Sequence, residues 1–311
     1  MRIASLLPSA TEIVCSLGLK DKLVGITHEC DFPSGIDKLP HLTASRISHE
    51  KMSSADIDHA VRSQLDGHGT IYDLDTDLLQ QLDPDLIITQ ELCDVCAVSY
   101  KIVNQAAKTY VADATVVSLE PNTIADIFDT IVTVGDLAGI KPKAEDVVSD
   151  LSDRLVAISE KLKTVSQKPR VMMLEWLEPP FAPGHWVPEQ VANAGGICLL
   201  GDAGKRSVTT TYEEILESNP DVLVLIPCGY YIADTIRQLE FTKFPASWRD
   251  MPAIVNGNIW AVDATSYFSR PGPRVVDGVE ILAKVLHSDV FGEPEGHEAI
   301  KVSIDLIKFE R

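Results

Sequence analysis

Two stretches of this chain share one pattern, LLQQLDPDLIITQ at 78–90 and EILESNPDVLVLIP at 214–227. Each ends a helix, turns through Asp83 or Asn219 into a Pro-Asp pair, and then runs through consecutive apolar residues. An apolar run bounded by turn residues is what a strand buried on both faces shows. Such strands belong to parallel sheets covered by helices. A second ordered match strengthens the case, because Pro8, Glu12 and Leu17-Gly18 correspond to Pro188, Glu189 and Ala194-Gly195. Two ordered matches at similar offsets predict duplicated α/β lobes.

In the first lobe Ile3–Leu7, Leu23–Ile26, Leu86–Thr89 and Thr115–Leu119 read as strands. Helices are predicted over Pro8–Leu17, Leu78–Leu82 and Val98–Lys108, with Gly18 and Asp83-Pro84 as stops. In the second lobe Arg170–Trp176 and Val222–Ile226 read as strands, and Ile259–Val262 as an edge or final strand. Pro188–Ala194, Tyr212–Glu217 and Val275–Leu286 read as helices. Between the lobes Asn122 caps a helix with Ile124, Ile127, Phe128, Ile131, Val132 and Leu137 on one face, ended by Gly139 and Pro142. A second helix, from Ala144 to Lys163, is long enough at ~1.5 Å per residue to bridge two domains. The predicted fold is α/β, two Rossmann-like lobes with parallel sheets joined by a single long connecting helix. The expected domains are an N-terminal lobe at 1–121, a connecting helical segment at 122–167 and a C-terminal lobe at 168–311.

With 27 Lys and Arg against 46 Asp and Glu, the formal charge is −19. So acidic a chain repels phosphate backbones and anionic lipid, which argues against nucleic acid and polybasic membrane anchoring. No stretch approaches the ~20 apolar residues of a spanning helix. Pro8 and Glu12 interrupt the mildly apolar start, and Glu12 spoils a lipobox reading of Cys15, so a cytoplasmic protein is expected. Six cysteines (15, 30, 93, 96, 198 and 228) are too few for a disulfide scaffold in 311 residues.

Several segments carry a family resemblance. In the first half they are RIASLLPSATEIVCSLGL, VGITHECDFP and LDPDLIITQELCDVCAVS. In the second they are EWLEPPFAPGHWVPEQVANAGG, SNPDVLVLIPCGY and RPGPRVVDGVE. The chain resembles the class III, helical-backbone periplasmic binding proteins, and is most similar to their cobalamin-binding branch, here without an export signal. The resemblance implies two lobes about one rigid helix and a small-molecule ligand. The superfamily also includes binders of iron-siderophores, haem and metals. The missing export signal puts a transporter partner in doubt. Residues 44–70 are longer than the loop expected there, and 53–65 read as an extra helix near the first lobe's side of a ligand cleft.

Ligands of parallel α/β lobes bind beyond the carboxyl ends of strands. The residues that follow the predicted strands are therefore candidates. They are Ser9, Thr27, His28 and Glu29 in the first lobe. In the second they are Trp176, His185, Trp186, Tyr230, Tyr231, Tyr267 and Arg270. The aromatic rings suit a large planar ligand such as a cobalamin-like corrinoid or another tetrapyrrole. Cys30, Cys93 and Cys96 form a possible soft-metal set for zinc or iron, with His28 or His185 as a fourth ligand. A redox pair at Cys93 and Cys96, serving a metal-handling or redox enzyme, and three unconnected thiols are the alternatives. No nucleophile elbow, Walker A sequence, Gly-rich dinucleotide turn or H-E-x-x-H is present. The expected function is to bind a small molecule between two closing lobes, with no catalytic step.

Overall fold

The computed structural model describes residues 1–45, 52–68, 71–90 and 100–310. The chain divides into two compact units. One holds Met1–Met52, His59–Pro121 and Ala125–Ser149, and the other holds Ser53–Asp58, Asn122–Ile124 and Asp150–Arg311.

The first unit begins with β1 (Ile3–Ser5), α1 (Pro8–Ser16), β2 (Leu23–Gly25) and β3 (Thr43–Ser45). Helix α2 (Ser54–His68) follows, its first residues counted with the second unit. Next come β4 (Tyr72–Leu74), α3 (Thr76–Leu82), β5 (Leu86–Thr89), α4 (Tyr100–Tyr110), β6 (Thr115–Ser118) and α5 (Ile124–Leu137). The four-stranded sheet has the order β2-β1-β5-β6, and every pair in it is parallel. Strands β3 and β4 form a separate antiparallel pair that the sequence pattern did not show.

Helix α6 (Lys141–Leu162) passes from the first unit to the second at Ser149–Asp150. It starts earlier than expected. Pro142 lies in its first turn, where a missing N–H costs nothing, so Gly139 at φ +72° is what separates α5 from α6. A Cβ on Gly135 of α5 would lie 2.4 Å from that of Ala144, so glycine is what lets the two helices approach. Further along, the Arg154 guanidinium bonds both Asp277 and Glu280.

The second unit continues with β7 (Arg170–Leu174), β8 (Phe181–Ala182), α7 (Val187–Asn193), β9 (Ile197–Cys198), β10 (Val208–Thr209), α8 (Tyr212–Glu217) and β11 (Val222–Leu225). Then come α9 (Ile232–Leu239), α10 (Pro252–Val255), β12 (Ile259–Val262), α11 (Ala264–Tyr267), α12 (Val275–Leu286), α13 (Ser288–Phe291) and β13 (Ala299–Lys301). The sheet order is β13-β12-β11-β7-β9. Its pairs are parallel except the last, where β13 runs antiparallel to β12. Strand β12 is therefore interior rather than an edge, because β13 covers it. Trp248 and Phe244 stack with ring centroids 4.9 Å apart in the core, and Tyr212 meets Trp248 edge-on.

The repeated Pro-Asp pattern has one physical basis in both units. Asp83 and Asn219 adopt the left-handed conformation that turns the chain out of α3 or away from α8, at φ +39° and +51°. Asp and Asn tolerate that region better than most side chains. The next aspartate then accepts a backbone N–H at the start of the neighbouring strand. Arg2 N–H donates to Asp85 Oδ2 at 2.6 Å, and Arg170 N–H donates to Asp221 Oδ2 at 2.8 Å. Each arginine side chain in turn donates to a carbonyl at the end of the preceding helix, Leu82 or Ser218. The motif thus fixes the turn and pins the new strand to its neighbour.

Candidate functional site

In the first unit Thr27, His28 and Glu29 leave β2 together. The Thr43 hydroxyl donates to Thr27 Oγ1 at 2.8 Å, and His28 Nδ1 lies 2.7 Å from the same Thr43 oxygen. Thr43 has one proton and gives it to Thr27, so His28 carries its proton on Nδ1. His28 Nε2 faces Glu29 Oε1 at 3.8 Å, and the Tyr72 hydroxyl donates to that carboxylate oxygen at 3.2 Å. The structure therefore joins Thr27, His28 and Glu29 into one polar cluster. Thr43 and Tyr72 complete it. They start the small strands β3 and β4, which are too short to leave a periodic signal in the sequence.

Ser9 lies buried in the first turn of α1. Cys30 is also buried, and its sulfur lies 3.0 Å from Thr11 Oγ1. The Thr11 hydroxyl donates to Ser5 Oγ, which donates to the Leu7 carbonyl. Every proton in that chain is already directed away from sulfur, so Cys30 takes part as an S–H donor. Cys93 and Cys96 lie outside the described residues. Among the described residues, no group of three or more His, Cys, Asp and Glu is placed to hold a metal ion.

In the second unit the loops after β7, β11 and β12 are stitched together in the order of the sheet. The Cys228 N–H donates to the Glu175 carbonyl, and the Thr265 N–H donates to the Tyr230 carbonyl, each at 3.1 Å. This brings Trp176 and Tyr230 into a tilted ring pair, with centroids 5.4 Å apart at 59°. The Tyr230 hydroxyl is buried beside the Ser54 side chain without reaching hydrogen-bond geometry to it. Burial pushes this phenol up to about 12, and Ser54 offsets part of the rise. Tyr231 is exposed at the start of α9, while Arg270 is buried.

Trp186 spends its polar edge inside the unit, donating from Nε1 to the Phe268 carbonyl at 2.9 Å. Tyr267 is half-buried under Arg274, whose guanidinium carbon lies 5.7 Å from the ring centre. Its carbonyl accepts from Gln190 Nε2. Burial, more than the neighbouring charges, raises its phenol.

His185 occupies a bend at φ +50°, pinned by its own N–H to the Lys205 carbonyl and by the Gly204 N–H to its carbonyl. Burial first, and then the charge of Arg206, hold its imidazole below the usual value. Its Nε2 is buried with no hydrogen-bond partner among the described residues. The bend is anchored by Glu175, which accepts from the Gly184 N–H and the Ser207 hydroxyl. Only glycine fits at 184, since a Cβ there would lie 2.2 Å from the Ser207 nitrogen.

The sequence reading missed Glu175, Ser54 and Gln238. Glu175 carries one available signal, a carboxylate directly after an apolar strand. Ser54 carries none, because its partners Trp176 and Gln238 are remote in the chain.

Residues 3–265 match the family model described as periplasmic binding protein. The chain is 26% identical to the uncharacterized ABC transporter substrate-binding lipoprotein YvrC of Bacillus subtilis, over 94% of this chain and 82% of that protein. It is 24% identical to the vitamin B12-binding protein of Vibrio cholerae, over 92% of this chain and 88% of that one. The fold also matches the periplasmic heme-binding protein RhuT of Roseiflexus, with a TM-score of 0.68, 20% identity and coverage of 93% and 98% of the two chains. Among the described residues no helix is long and apolar enough to cross a membrane. Its two α/β units, its parallel sheets and the span of the family match make this chain a substrate-binding protein of the periplasmic binding protein family.

Proposed function

We propose that the protein binds a corrinoid, without chemical turnover. The observation that carries this reading is the Trp176–Tyr230 ring pair at the exits of adjacent strands. Such a pair offers apolar faces with polar tips, which suits a large ring system fringed by hydrogen-bonding groups. The Vibrio relative, which binds vitamin B12, supports the corrinoid over other planar ligands. The test is a titration of the purified protein with cyanocobalamin, dicyanocobinamide and haemin, followed by absorbance and calorimetry. Stoichiometric corrinoid uptake with weaker haemin binding is expected. Haemin uptake in preference to both corrinoids, or uptake of none of the three, overturns the reading.

A further inference from the structure

The first turn of α2 is held in shape by its own cap. Ser53 Oγ donates to Asp56 Oδ2 at 2.7 Å, and the Asp56 N–H donates back to Ser53 Oγ at 3.2 Å. The Ser54 N–H is one of the donors that a helix start leaves without an intrahelical partner. It goes to Gln238 Oε1 at 3.1 Å, and the Ser54 hydroxyl reaches the same oxygen at 3.4 Å. The Ser54 carbonyl accepts from Trp176 Nε1 at 3.2 Å. Ser54 is 2% exposed and Gln238 1%, so the contact between these two is dry.

One residue's N–H and C=O are thus gripped by an acceptor and a donor beside the Trp176–Tyr230 ring pair. The polarity is fixed at both ends. An indole nitrogen only donates, and an N–H partner obliges Gln238 to present its oxygen. The buried Tyr230 hydroxyl lies at the same place with hydrogen-bonding capacity unspent among the described residues. We propose that Trp176 and Gln238 form a seat for carboxamide groups of the ligand, and that the Ser53–Asp58 turn competes for that seat as an internal stand-in. The proposal deepens the corrinoid reading and rests on it for the ligand's identity. A corrin fringed with carboxamides supplies both an N–H for Gln238 and a C=O for Trp176. A ligand fringed with carboxylates supplies no N–H, and seating it would require Gln238 to turn its amide round.

Three proteins test this: the native chain, Ser54→Pro, and a chain with residues 53–58 replaced by an equally long Gly-Ser segment. Proline is tolerated at the first helical position, so Ser54→Pro removes the N–H to Gln238 while leaving the helix start intact. Loss of the competitor's N–H and hydroxyl contacts to Gln238 should make cyanocobalamin bind about 10-fold more tightly to Ser54→Pro than to the native chain. Hydrogen exchange in 53–58 should quicken when cyanocobalamin binds the native chain. Unchanged or weaker binding by Ser54→Pro, or slower exchange in 53–58, overturns the proposal.

A second probe separates this proposal from the corrinoid reading. The acetylated, amidated peptide MSSADID, which copies residues 52–58, is added to the Gly-Ser variant. Quenching of tryptophan emission that disappears in the same variant carrying Trp176→Phe supports the seat, whichever way the corrinoid titration falls. No quenching overturns the seat. Failure of every corrinoid to bind the native chain and both variants, with the peptide still quenching, overturns the corrinoid reading alone.

Discussion

Glu175 accepts the Gly184 N–H at 3.1 Å, and this bond ties the exit of β7 to the bend that carries His185. Burial pushes the Glu175 carboxyl up to about 7, against the lowering effect of its bonds from Ser207 and Gly184. The folded chain therefore keeps this proton up to about pH 7, whereas the unfolded chain releases it near the ordinary value of 4.5. Between those two values the folded state binds more protons, so stability falls as pH rises. The loss levels off above pH 7 at about 3 kcal/mol. Glu175→Gln removes the titrating group and should flatten this slope. Urea midpoints at pH 5 and pH 8 check it, and an unchanged slope in the variant would count against Glu175 as its source.

Trp176→Ala takes away one ring of the Trp176–Tyr230 pair and the N–H that meets Ser54. Corrinoid affinity should drop by roughly 1–3 kcal/mol, as for loss of a large aromatic contact. Calorimetric titration measures the loss, and circular dichroism shows whether the fold survives. Trp186→Phe separates the two tryptophans. Its indole N–H bonds the Phe268 carbonyl inside the unit, so its loss should lower the melting temperature more than the affinity.

Arg154 stands between Asp277 and Glu280 and bonds both. Burial raises the Asp277 carboxyl despite the opposing pull of Arg154. Arg154→Leu leaves two neighbouring carboxylates without their shared cation. The group is about a third exposed, so solvent screens part of the loss, and about 1–2 kcal/mol of destabilisation is expected. Chemical denaturation at low and high salt gives the value, which should shrink as salt rises.

Gly135→Ala forces a methyl group against Ala144. Alanine favours a helix over glycine by ~1 kcal/mol, but overpacking costs about 1–3 kcal/mol, so the net effect should be destabilising. Pairing it with Ala144→Gly makes room for the methyl and should recover most of the loss. A double variant no more stable than Gly135→Ala would mean that the helices meet elsewhere.

The parts of the fold that the sequence revealed are those whose cause is local. Asp83-Pro84-Asp85 and Asn219-Pro220-Asp221 contain their own turn, and the following apolar runs have only one environment that suits them. Strand β5 was accordingly legible to the residue and β11 to within one residue at its end, and the apolar run of β12 was legible to the residue as well. Strands β8 and β10 were not, because two-residue strands have no period to detect. Of the candidate residues, Trp176 and Tyr230 meet as rings because their loops leave neighbouring strands. Ser54 could not be foreseen, since nothing in the sequence of α2 singles it out until Gln238 and Trp176 are beside it. The extra helix expected on the first lobe's side is divided, its residues from His59 on belonging with the first unit and Ser53–Asp58 with the second.

That assignment bears on how the chain assembles. Ser54 and Gln238 are separated by 184 positions, so their contact closes one of the longest loops in the molecule. Contacts of such separation form late, after nearer elements have restricted the chain. During synthesis the Ser53–Asp58 turn leaves the ribosome long before Gln238 has been made. The second unit is therefore not encoded by one continuous stretch, and a fragment starting at Asp150 carries Trp176 and Gln238 without the serine that both of them hold.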